Sequence, residues 1–72
     1  MRSFDDTQGV SWQAAVLDAS YGNMLLVFSP SGEGVVRQIA MSEENLRLAE
    51  QQLTDMDTSQ LRTLLAESVP WS

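Results

Sequence analysis

The chain has 72 residues, ten acidic against four basic, for a formal charge of −6, and it contains no cysteine, histidine or lysine. Disulfides, thiolate and imidazole metal ligands and a near-neutral acid/base side chain are thereby excluded. A chain this short buries only about 60% of its unfolded surface, so one small domain is expected, held by an efficient apolar core or by self-association.

Hydrophobic residues make up 43% of the chain, ordinary globular usage, so the acidity does not imply disorder. Residues 1–10 are polar, contain Gly9 and read as a flexible lead-in to a single domain over 11–72. The lead-in places Asp5 and Asp6 before any apolar run, the wrong order for a signal peptide.

A first strand is expected at 11–19, where Trp12, Ala14 and Val16 alternate with Gln13, Ala15 and Leu17, although the two alanines weaken it. Tyr21-Gly22-Asn23 supplies turn chemistry, and a second strand follows at 23–29. Its core, Met24 to Phe28, is the longest apolar run and falls far short of the ~20 residues a membrane helix needs, so a cytoplasmic protein is expected. The Ser29 to Gly34 segment reads as a hairpin loop, leading to a third strand at 35–41. Short connections make these three an antiparallel meander.

The second half has helical periodicity. A helix is expected at 43–54, capped by Ser42 with Glu43 and Glu44 in its first turn and a core stripe of Leu46, Ala49, Leu53 and Met56. Leu48 lies off that stripe and is expected to make a second packing contact, an exposed anchor being the alternative. Asp57 with Gln60 three residues later offers a capping box for a second helix at 58–68, with Leu61, Leu64, Leu65 and Ser68 on one face and Pro70 beyond its end. A single bent helix from Glu43 to Ser68 is the alternative. Trp71 is expected to fold back onto the core.

The fold class is therefore α+β: a three-stranded antiparallel meander followed by two C-terminal helices on one face of the sheet. Catalytic machinery is not legible in it. Serine hydrolase logic fails without His or Lys. The Asp5/Asp6 and Glu43/Glu44 pairs read as solvated charge, and Asp55-Met56-Asp57 starts a calcium-loop pattern that nothing continues. Neither an enzyme nor a cofactor is expected. Direct nucleic-acid binding is disfavoured too, since arginines at 2, 37, 47 and 62 form no basic run. Arg37 is expected to pair with Glu33 or to snorkel at an edge.

How the strand residues sort between faces is more informative. Alternation assigns Trp12, Ala14, Val16, Met24, Leu26, Phe28, Val35, Ile39 and Met41 to the face under the helices. Leu17, Leu25, Val27 and Val36 fall on the other face, where they would form a large apolar patch if both helices pack together. The expected role is a protein-protein interaction module, homodimeric through that face, with Trp12, Leu17, Leu25, Val27, Val36 and Trp71 as candidate contacts. Helices straddling the sheet would instead bury both sets within one chain. From a different class, Glu43, Glu44 and Glu50 could present an acidic helical face acting as an inhibitor or nucleic-acid mimic.

Overall fold

The computed structural model describes residues 2–20, 23–43 and 45–71. Five strands run β1 (Arg2–Asp5), β2 (Ser11–Ser20), β3 (Asn23–Pro30), β4 (Arg37–Ala40) and β5 (Val69–Pro70), with helices α1 (Leu46–Asp55) and α2 (Thr58–Glu67) inserted before β5. Spatial order follows chain order, and every neighbouring pair is antiparallel. The α+β architecture is as expected, but the three-stranded meander gains a strand at each edge.

At the first edge, the segment read as a flexible lead-in is the strand β1, with Phe4 opposite Trp12. The turn behind it explains the difference. Asp6 accepts hydrogen bonds at Oδ1 from the backbone N–H groups of Gln8 and Val10, at 2.8 and 2.9 Å, and Gly9 takes a φ of +83° that closes the loop. At the other edge, the residues after α2 return to the sheet, where Val69 lies opposite Gln38.

Helix α1 starts at Asn45, whose side chain accepts from the Arg47 N–H, and not at Ser42. At Met41 the chain is still tied to the sheet, its N–H donating to Met24 O at 2.9 Å. Leu46 thus falls in the first turn and is exposed, while Ala49, Leu53 and Met56 keep their places in the core. Leu48 is also exposed and makes no second core contact. The break into two helices stands: Asp57 and Gln60 form the reciprocal capping box. The β4 strand begins two residues later than expected, because Val35 still belongs to the loop and is 56% exposed, off the core it was assigned to. The turn at Tyr21 and Gly22 lies outside the described residues.

Both helices pack on the same side of the sheet, α1 against β2 and α2 against β4 and β1. Beneath them Phe4, Ala14, Leu26 and Phe28 meet Leu53, Met56, Leu61 and Leu65, with Trp12, Val16, Ile39, Met41 and Leu64 around them. Ala14, which weakens the strand signal, leaves room for the aromatic rings of the two flanking strands. Over its small side chain Phe4 and Phe28 meet edge to face, with ring centroids 5.9 Å apart.

Three of the four arginines tie strands to helices or helix ends. One Arg2 nitrogen donates to the carbonyls of Leu53, Thr54 and Met56 at 3.2, 3.0 and 2.7 Å, satisfying the end of α1. Arg62 of α2 donates to Asp5 O of β1 at 2.8 Å. Arg37 donates to the Ser68 hydroxyl at 2.9 Å and to its carbonyl, neither pairing with Glu33 nor snorkelling. Among the described residues Gln52 Oε1 is buried with no partner.

Two stability outcomes follow. Arg2→Ala is expected to cost about 1–2 kcal/mol in urea unfolding, the lower part of the range for charged hydrogen bonds because the side chain is partly exposed. Gln52→Leu removes an unpaired buried oxygen and is expected to raise stability by about 1 kcal/mol in the same assay.

Candidate interaction surface

The register fixes what the helices leave uncovered. Opposite the core, Leu17 of β2 faces Leu25 of β3, and a row across the sheet runs Ala15, Val27, Gln38 and Val69. Trp71 joins this face, since its N–H donates to Val36 O at 2.7 Å and so continues the edge beyond β5. Ala15, Leu17, Val27, Val36 and Trp71 line one groove of about 400 Å³. Leu17, Val69 and Trp71 are 41, 52 and 46% exposed. No residue on this face of the four strands β2 to β5 is charged; Gln13, Ser29 and Gln38 are polar, as are Ser11, Ser20 and Asn23 at its margins. Among the described residues no helical side chain packs here, so the straddling arrangement is not the one formed.

Of the six candidate contacts, Leu17, Leu25, Val27, Val36 and Trp71 come together. Trp71 does not fold back onto the core as expected: the β5 pairing sends the terminus across the other face. Trp12 is the exception. Its alternation phase puts it under the helices with Phe4, and its indole N–H donates to Asp6 Oδ2 at 2.9 Å. Ala15 and Val69 complete the face. Alternation with Leu17 already marked Ala15, whereas a two-residue strand left no periodic signal for Val69.

Glu43 and Glu50 do not share a helix face. Glu43 precedes the Asn45 cap, Glu50 is exposed on α1, and Glu44 lies outside the described residues. The Asp5/Asp6 pair serves the β1–β2 turn: Asp5 accepts from the Ser11 hydroxyl at 2.9 Å, and both oxygens of Asp6 are engaged. Among the described residues no three potential ligands gather to hold a metal ion, and no helix is long and apolar enough to cross a membrane. No family model, curated protein or solved structure matches this chain.

The Asp6 carboxyl is held below its ordinary 3.8, first by the Trp12 indole N–H and then by the Val10 and Gln8 amides, while partial desolvation opposes them. A depressed acid contributes stability above its unfolded value that is lost as pH falls through the lower, folded one. The Trp12 indole N–H resonance should therefore titrate with a midpoint below 3.8. Asp6→Asn should abolish that titration, and a midpoint at or above the ordinary value would contradict the assignment.

Proposed function

We propose that this chain acts by protein-protein contact, as a homodimer formed through the open face of its sheet, and not as a catalyst. The observation that carries the reading is that a face uncharged over β2 to β5, bearing Leu17, Leu25, Val27, Val36, Val69 and Trp71, lies opposite the only helical layer among the described residues.

Apolar burial drives association. Taking a larger apolar side chain from full exposure to full burial contributes roughly 1.5–3 kcal/mol. Leu17, Val69 and Trp71 are about half exposed and Leu25, Val27 and Val36 already half-buried. Each therefore contributes a part of that, twice in a symmetric pair, against an association cost of about 4–15 kcal/mol. Five strands at ~4.8 Å spacing and eight β2–β3 positions at ~3.4 Å give a footprint of about 19 by 27 Å. With side-chain relief, a pair buries on the order of 1,000 Å², the lower bound for a specific interface, so a reversible dimer is expected.

A second copy suits this face better than strand addition at an edge. The outermost strands are poor templates: Arg62 occupies the Asp5 carbonyl of β1, and β5 has two residues, one of them Pro70 without an N–H. The remaining barrier is repulsion between two chains of −6 each, and added salt screens it.

Sedimentation equilibrium over a dilution series should show a dimer that tightens with salt. Val27→Asp should leave it monomeric yet folded, because Val27 sits mid-face and outside the helix-covered core. A chain that stays monomeric to roughly millimolar concentration, where the association free energy falls below about 4 kcal/mol, would sink the reading; complex formation only with a different protein would replace the second copy as partner.

A further inference from the structure

We propose that Trp71 is the anchor of the dimer and that the surface over Ala15 of the other copy is its socket. This rests on the homodimer proposed above and deepens it.

The consecutive alanines of β2 each open a gap on one side of the sheet. Over Ala14, on the helix side, the gap is closed within the chain by the Phe4 and Phe28 rings. Over Ala15, on the open side, it forms one end of the apolar groove that runs across Val27 and Val36 to Trp71. On the same strand the flanking open-face residues Gln13 and Leu17 are larger, so Ala15 is a local depression.

Trp71 stands at the opposite end. Its backbone is pinned to Val36 O at 2.7 Å, which limits the conformational freedom lost on binding, while its side chain remains 46% exposed. Trp71 lies level with Val36, Ser29 and Gln13, one row from Ala15. A two-fold axis lying between the two sheets and running between β3 and β4 therefore sets the Trp71 backbone of one copy over the Gln13 level of the other's β2. From there its indole extends about 7 Å along the strand to Ala15. Each indole then crosses the shared face and fills the depression opposite, twice per dimer, as an isologous interface requires. Sheets stacked face to face lie about 10 Å apart, a gap that an indole spans and the Ala15 methyl does not. A rigid, half-exposed Trp entering an apolar socket is the residue type that dominates interface energetics.

The test compares dimer dissociation constants of the full chain by sedimentation, with folding checked by circular dichroism. Trp71→Ala should weaken the dimer about thirtyfold or more. Ala15→Leu, which leaves Trp71 intact and fills the socket, should weaken it comparably. In the Trp12→Phe background Trp71 is the sole tryptophan, and its emission should move to shorter wavelength as concentration rises. If Val27→Asp dissociates the dimer while Trp71→Ala and Ala15→Leu change the constant less than twofold, the face dimerises without this anchor and the inference is overturned. If the unmodified chain never dimerises, both proposals fall. Should Trp71→Ala not fold, Ala15→Leu and the emission shift decide the matter.

Discussion

Two helices of ten residues, each about 15 Å long, can cover one face of a five-stranded sheet and leave nothing for the second. That shortage of covering material governs the rest of the molecule. The strands β2 and β3 are apolar on both faces, so whichever side receives the helices becomes the core and the other becomes an apolar surface. The choice of side follows bulk. Leu26, Phe28 and Phe4 offer the larger payload with Ala14 making room between them, and α1 and α2 bury that set.

Holding the helices on that side is a task for polar groups, because this chain has no disulfide or histidine to staple it. Arginine takes the role. Arg2, Arg37 and Arg62 each bridge a strand and a helix or helix end, and each donates to backbone carbonyls. A forked guanidinium suits such sites because it offers several donors in a fixed plane. The arginines, which form no basic run in the sequence, therefore have a structural role at three of their four positions. Asp6 plays the reciprocal part at the first turn, where one carboxylate satisfies two backbone donors and the Trp12 indole. Acidic groups that look like surplus charge are in this case the closure of β1 on β2.

The open apolar face was legible to the extent that it depends on period two. Leu17, Leu25, Val27 and Val36 share a face by alternation alone, whatever the strands pair with. Trp12 belongs to the opposite phase, and counting it as a contact rested on residue type, which carries no direction. Trp71 was placed wrongly in space for a different reason. Its position depends on Val69 and Pro70 pairing with Gln38 and Arg37, a contact between segments some thirty residues apart that no local pattern of two residues can encode. The same holds for β1, where Phe4 is the lone apolar residue in a four-residue strand and pairing with Trp12 supplies the order.

What the sequence determined by itself was the local: the α+β order, the helix break at Asp57 with its capping box, the absence of stapling and acid/base residues, and two apolar sets on alternating strands. These rest on spacing and on side-chain chemistry within a few residues. Only the tertiary structure decided the non-local: the added edge strands, the start of α1 at Asn45, the strand-to-helix bridges of the arginines and the emergence of Trp71 on the uncovered face. Those depend on which distant segments meet, and that is set by how two short helices cover one side of the sheet.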